Sequence, residues 1–244
     1  MKTTNILPSF FIALILMSCE KDVTIWYDEI KLESYVIKNY SNDAKQLYLH
    51  EIFQDSTHPN FEKSSIDYNE INKILKTIQA VYNLNSPERD TVFLKYQIHT
   101  SYCFSSNSIS LRVKTGLPEI KNLAINIIPT GESSLDDILS IYNFDSVKTA
   151  YSYPSFPWLT LYANNNEYNM IPIERKFAKI ESVEIADFNK GCLGDGNNIS
   201  ISRNGDSTVI TFSVGSGDCP AGCIYRKYWE FIVSYGTATF VRTY

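Results

Sequence analysis

Residues 122–189 of the chain read NLAINIIPTGESSLDDILSIYNFDSVKTAYSYPSFPWLTLYANNNEYNMIPIERKFAKIESVEIADFN. Short apolar runs in this stretch predict four strands, at Asn122–Pro129, Val147–Tyr153, Trp158–Ala163 and Ser182–Asp187. Between them, apolar residues at helical spacing predict a short helix at Leu135–Tyr142, capped by Ser133 or Ser134, and a second helix is predicted at Met170–Ile180. The predicted order of elements is therefore β-α-β-β-α-β.

This order is that of the ferredoxin-like, or split βαβ, fold, which we assign to residues 119–189. The segment from Asn169 through Phe177–Ile180 to Val183–Ala186 resembles the last helix and strand of subtilisin-type propeptides. The resemblance implies a peptidase-inhibitor-like module that inhibits a protease. In that family the last strand delivers a tail into the protease cleft, whereas this chain continues into a glycine-rich segment that contains Cys192.

The segment before this module, residues 43–118, is predicted to hold a helix followed by a hairpin. One continuous apolar stripe predicts a helix over Asp67–Tyr82, with Ser65 or Asp67 as its cap. Alternating apolar residues predict a strand at Asp90–Thr100, which pairs with a second strand at Ser108–Lys114. Residues 43–54 fit either a strand or a short helix.

The segment after the module, residues 190–244, is predicted to form two antiparallel hairpins. Asn198–Arg203 and Thr208–Val214 flank an Asn-Gly turn pair, and Arg226–Ser234 and Thr237–Thr243 flank Tyr235-Gly236. The predicted fold class is thus α+β: a ferredoxin-like module followed by antiparallel β-hairpins, with an N-terminal helix-plus-hairpin segment.

The first residues of the chain indicate where the protein resides. Lys2 at the start of the chain is followed by an apolar run over Ile6–Met17 and then by Cys19. This order resembles a bacterial lipoprotein signal peptide. The apolar run is too short to span a bilayer, which needs about 20 residues. The resemblance implies a signal peptide at residues 1–18, acylation of Cys19 by palmitate-type chains, and a membrane tether over residues 19–42.

The residues directly after Cys19 refine this address. Glu20-Lys21-Asp22 is similar to the short tag of surface-exposed lipoproteins of the Bacteroidetes type. That similarity implies a lipid-anchored protein of the outer membrane that is exposed at the cell surface. The periplasmic face of the outer membrane remains open as an alternative.

The remaining cysteines and the net charge narrow the function classes. A net charge of −5 without a cluster of Lys or Arg argues against nucleic-acid binding. Four cysteines are left beside Cys19, and an even count outside the cytoplasm predicts two disulfides. The C-x₃-C spacing favours Cys219–Cys223, which leaves Cys103–Cys192 as the second bond. The alternative is a zinc site that uses Cys192, Cys219, Cys223 and a histidine.

The sequence contains no motif that names a reaction. The three histidines lack metal-site spacing, and no G-x-S-x-G elbow, Walker loop or G-x-G-x-x-G loop is present. We therefore expect no cofactor and no metal. The best binding candidates are aromatic residues, which are Tyr151, Tyr153, Phe156, Trp158, Tyr162 and Tyr168. Strand alternation places Tyr151 and Tyr153 on one face of their strand, and Trp158 and Tyr162 on one face of theirs. Aromatic rings grouped in this way either fill a core, stack on sugars or anchor a protein partner.

These observations lead us to expect a lipid-anchored cell-envelope protein that binds or structures a protein or a glycan without catalysis. One alternative is an inhibitor or propeptide-like partner of a secreted protease, which rests on the β-α-β-β-α-β stretch. A second alternative is a hydrolase of an envelope polymer, for which two acids with shifted pKa values would have to converge in a concave pocket.

Overall fold

Two four-stranded antiparallel sheets, six α-helices and one π-helical turn make up the described part of the chain. The computed structural model describes residues 30–150, 152–188, 196–219 and 222–244. The predicted signal peptide, the proposed lipid attachment site Cys19 and the first part of the predicted tether lie outside these residues.

The described chain begins with two long helices that pack against each other. Helix α1 spans Ser34–Gln54 and helix α2 spans Tyr68–Tyr82. Helix α2 agrees with its prediction, and the carboxylate of Asp67 accepts a hydrogen bond from the backbone N–H of Asn69 at 3.0 Å. Helix α1 begins inside the region predicted as a tether. Val36 and Tyr40 on its first turns are fully buried, so this part of the chain belongs to the core.

The predicted strand at Asp90–Thr100 is wrong. Helix α3 spans Pro87–Asp90 and continues into a π-helical turn at Thr91–Lys95, which is closed by a bond from the Tyr96 N–H to the Thr91 carbonyl. The apolar residues in this segment alternate in sequence, but the neighbours Val92 and Phe93 are both fully buried. Burial of consecutive residues is incompatible with the two-residue period of a half-buried strand.

The first sheet consists of β1 (Ser108–Val113), β2 (Ser146–Thr149), β3 (Trp158–Tyr162) and β4 (Val183–Asp187). Its strand order is β2-β3-β1-β4, and every neighbouring pair is antiparallel. Strand β1 therefore pairs with β3 and β4, and the predicted hairpin with residues 90–100 does not form.

The predicted strand at Asn122–Pro129 is also wrong, since this region holds helix α4 (Pro118–Ala124) and the loop that follows it. Pro118 occupies the first helical position, where its missing N–H and fixed φ favour a helix start. The first strand of the sheet is β1, which precedes this helix. Three of the four strands predicted in residues 122–189 therefore form, and the strand predicted at Asn122–Pro129 does not.

Two further helices connect the strands of the first sheet. Helix α5 spans Ser133–Ile141 and helix α6 spans Ile171–Phe177, so the latter is shorter than predicted. The cap of α5 is Glu132, whose carboxylate accepts the Ser134 N–H at 3.1 Å, and not the predicted Ser133 or Ser134. A carboxylate at this end of a helix also interacts favourably with the helix dipole.

The second sheet consists of β5 (Asn198–Asn204), β6 (Ser207–Ser216), β7 (Tyr225–Ser234) and β8 (Thr237–Thr243). Its order follows the sequence, and both predicted hairpins are present. Tyr235 and Gly236 connect β7 to β8 with φ angles of 48° and 74°, the two positive values that a tight type I′ turn requires.

One core cluster of buried side chains extends over the helices and both sheets. Phe93, next to α3, packs edge-on against Phe212 of β6 with ring centroids 5.4 Å apart. The start of the described chain is held nearby: the Glu33 N–H donates to Gln79 Oε1 at 2.8 Å, and Ile30 lines the same cleft as the Tyr235–Thr237 turn.

Candidate functional site

The two faces of strand β3 differ in environment. Leu159 and Leu161 point into the core and are fully buried. Trp158, Thr160 and Tyr162 alternate with them and are only half-buried. Trp158 and Tyr162 therefore share the face of the sheet that is turned away from the core, as strand alternation predicts.

Residues of the neighbouring strands join Trp158 and Tyr162 on this face, because directly paired residues of antiparallel strands point the same way. Arg112 of β1 is paired with Trp158 on one side and with Ile185 of β4 on the other. Lys148 of β2 is paired with Thr160. We call this surface the outer face, and it comprises Ser110, Arg112, Lys148, Trp158, Thr160, Tyr162 and Ile185.

The two cations of the outer face each contact a neighbouring side chain. The Lys148 ammonium lies 5.0 Å from the centroid of the Tyr162 ring, a cation–π distance. Arg112 Nε lies 3.0 Å from a carboxylate oxygen of Glu184, so its guanidinium is anchored at the edge of the sheet. The outer face thus combines an indole, a phenol and two cations.

Apolar side chains at the outer face are exposed to solvent. Ile185 is 43% exposed, and Phe156, just before β3, is 52% exposed with its ring centroid 6.2 Å from that of Trp158. Exposed apolar side chains grouped with polar and charged ones are typical of an interaction surface.

Two of the other predicted aromatic residues, Tyr153 and Tyr168, border the core. Tyr153 packs, half-buried, against the core. Tyr168 packs edge-on against Tyr142 at 5.4 Å and likewise borders the core. Tyr151 lies outside the described residues. Among the described residues, the predicted aromatic side chains on or beside the outer face are Phe156, Trp158 and Tyr162.

Sequence reasoning missed Arg112, Lys148 and Ile185. Alternation within β1 or β2 could have assigned Arg112 and Lys148 to a solvent-facing side. Their approach to Trp158 depends on the pairing of strands that are far apart in sequence, for which the chain carries no local signal.

The cysteines agree with the predicted pairing where the structure describes them. Cys219 and Cys223 form a disulfide with Cα atoms 4.0 Å apart, in the connection between β6 and β7. Cys103 is disulfide-bonded, and its predicted partner Cys192 lies outside the described residues. The Cys219–Cys223 bond consumes two of the thiolates that the alternative zinc site would use.

Three acids line another cleft, and one of them, Asp136, has a structural role. This cleft of about 900 Å³ is lined by Asp136, Asp137 and Asp145. Burial opposes ionisation of Asp136, but hydrogen bonds from Thr130 and from the Gly131 N–H lower the pKa of its carboxyl overall. A general acid of a glycosidase needs a raised pKa, so Asp136 is unsuited to that role.

A second constrained acid is Asp43 on helix α1, which is almost completely buried. One of its oxygens lies 2.9 Å from His99 Nδ1, and the other accepts the Thr100 N–H at 2.6 Å. The His99 ring stacks on Tyr40 with centroids 4.9 Å apart. The hydrogen bond to Asp43 raises the pKa of His99, while burial acts in the opposite direction.

Among the residues that the structure describes, no three His, Cys, Asp or Glu side chains form a group able to hold a metal ion. None of the helices in the described ranges is both long and apolar enough to cross a membrane. Comparison with protein-family models, curated proteins and solved structures found no match to this chain.

Proposed function

We propose that the chain is a lipid-anchored cell-envelope protein whose folded part is a non-catalytic module that binds a protein partner through the outer face. The observation that carries this proposal is the grouping of Trp158, Tyr162 and Arg112 on one face of the first sheet. Tryptophan, tyrosine and arginine are the residue types that contribute most to protein–protein hot spots.

The layout of the outer face also favours a protein partner. Trp158 lies beside the exposed Phe156, and Arg112 of the central strand β1 lies between Trp158 and Ile185. Aromatic side chains together with arginine match the composition of protein interfaces, in which both are enriched. The envelope location rests on the sequence of residues 1–22, and Cys19 is its proposed lipid attachment site.

Site-specific photo-crosslinking in intact cells tests the proposal. A photo-reactive amino acid at Ile185 should give a discrete crosslinked species, since this side chain is exposed on the outer face. Ile232 is the matched control, because it is a strand isoleucine of similar exposure, 37%, on the second sheet. Equal crosslinking from both positions, or none from Ile185, contradicts the proposal.

The anchoring role of the indole is tested in the same experiment. Trp158→Ala should remove the Ile185 crosslink, because truncation of a hot-spot residue costs about 2 kcal/mol or more, roughly a 30-fold loss of affinity. Trp158→Phe retains an aromatic ring and should keep a large part of the signal. Circular dichroism of both variants checks that the sheet remains folded.

A second candidate function is inhibition of a subtilisin-type protease, and the topology of the first sheet supports it. Read from the other edge, the strand order is β4-β1-β3-β2, with helices between β1 and β2 and between β3 and β4. We infer a ferredoxin-like module from this order, with β1 in place of the predicted first strand. The start of this module, predicted at residue 119, therefore shifts towards the N-terminus so that the module includes Ser108–Val113.

The inhibitor hypothesis has its own assay. The purified chain should slow subtilisin-type proteolysis of a chromogenic peptide when it is present at a one-to-one ratio. Full protease activity at that ratio, while the added chain stays uncleaved, contradicts the inhibitor hypothesis. That result has no bearing on the binding function tested by crosslinking.

A further inference from the structure

A second cleft, of about 480 Å³, lies between helices α1 and α2, far in sequence from the outer face. Ile71 and Leu75 of α2 are largely buried and form its apolar floor. Its volume lies within the range of small-molecule sites, about 300–1,000 Å³. The outer face contributes none of the side chains that line this cleft, so the following argument does not depend on the function proposed above.

A carboxylate is fixed at the wall of this cleft. Glu167 Oε1 accepts from the Lys45 ammonium at 2.6 Å and from the Ser106 hydroxyl at 3.1 Å, and Oε2 accepts from the Tyr68 hydroxyl at 3.0 Å. Burial opposes ionisation, but these three donors lower the pKa of Glu167 overall. Glu167 is therefore an ionised acceptor in a defined orientation at neutral pH.

The cleft as a whole carries no net charge and offers both donors and acceptors. The charges of Lys45 and Glu167, its two ionised side chains, cancel. Asn42, Asn69 and Asn72 also line the cleft, and within the described ranges their side-chain amides make no hydrogen bond. Each amide supplies two donors and one acceptor oxygen, which matches a neutral ligand that bears several hydroxyl groups.

We propose that this cleft binds one neutral sugar unit. The ring of Tyr68, which is 59% exposed, provides a face on which a pyranose stacks, while the amides of Asn69 and Asn72 bond its hydroxyl groups. The charges of Lys45 and Glu167 already satisfy each other, so the cleft offers no unpaired charge to a sugar acid and should favour neutral sugars.

Saturation-transfer NMR on the full chain tests this proposal, in a detergent that has no sugar headgroup. The probes are the methyl glycosides of glucose, galactose, mannose and N-acetylglucosamine at tens of millimolar. At least one glycoside should show saturation transfer and a dissociation constant in the millimolar range. The absence of transfer to all four glycosides would overturn the proposal.

Two asparagine variants locate the site. Asn72→Ala should weaken binding about fivefold, the effect of losing one hydrogen bond. Asn165→Ala is the matched control, because Asn165 is an exposed asparagine in the separate cleft that contains Asp136. Equal effects of the two variants, or the uronic acid of the bound sugar binding as tightly as its methyl glycoside, would overturn the assignment.

Discussion

The residue pair Asp43–His99 links stability to pH through a single hydrogen bond. Because Asp43 holds the pKa of His99 above its ordinary value of about 6.5, the folded protein binds this proton more tightly than the unfolded chain. The resulting stabilisation is fully present below about pH 6.5 and is lost as the pH rises through the raised pKa.

Replacement of the imidazole should therefore change the pH dependence of stability. His99→Phe keeps a ring against Tyr40 but removes the group that binds the proton. The variant should therefore lose more free energy of unfolding near pH 6 than near pH 9. The difference between the two losses should be at most about 1 kcal/mol. The side chain of His99 is 47% exposed, and solvent screening keeps the effect small. Urea unfolding at both pH values measures it.

His50 serves as a contrast, because burial lowers its pKa and it stacks on Tyr102 with centroids 3.7 Å apart. A lowered histidine pKa gives stabilisation that is lost as the pH falls below about 6.5. His50→Phe should therefore lose less stability near pH 6 than near pH 9, the opposite trend. The same trend in both variants would contradict the role of Asp43.

At the scale of secondary-structure elements, the start of helix α2 depends on one side chain. The Asp67 carboxylate accepts from the N–H groups of Asn69 and Glu70, which no helical carbonyl can reach. Asp67→Ala should lower the free energy of unfolding by about 1 kcal/mol, whereas Asp67→Asn retains the cap and most of the stability. Urea unfolding of the two variants separates capping from other effects. An equal loss of unfolding free energy in both variants would refute the capping role of Asp67.

The elements that the sequence predicts correctly are those specified locally. Helix α2 has a continuous apolar stripe and a cap at Asp67, and the β7–β8 hairpin has its turn at Tyr235-Gly236. The alternation of Trp158 and Tyr162 is also a local property, so one half of the outer face could be predicted. Arg112 and Ile185 reach that face through pairings across the sheet, which no short window of sequence specifies.

The incorrect strands share a different cause. Alternating apolar residues suggested a strand at Asp90–Thr100, and a short apolar run suggested one at Asn122–Pro129, yet each region lies just after a proline at a helix start. Pro87 and Pro118 begin helices that tertiary packing then extends or terminates, and packing overrides intrinsic strand preference.

At the scale of the whole molecule, the proposed anchor decides where the protein is found. Cys19→Ser should transfer the protein from the membrane fraction to the soluble fraction, because a single acylatable residue is removed together with its two or three chains. Ser18→Ala keeps the cysteine and should remain in the membrane fraction. Fractionation with intact-mass measurement checks both variants, and membrane retention of Cys19→Ser would contradict lipid anchoring.

The position of Ile30 beside the β7–β8 turn gives this anchor a geometric consequence. Residues 19–30 reach at most about 40 Å when fully extended. An acylated Cys19 would therefore keep the tip of that hairpin within about 40 Å of the bilayer surface. A partner anchored in the same membrane would then meet the outer face within a layer above the bilayer, and confinement of both proteins raises their local concentration.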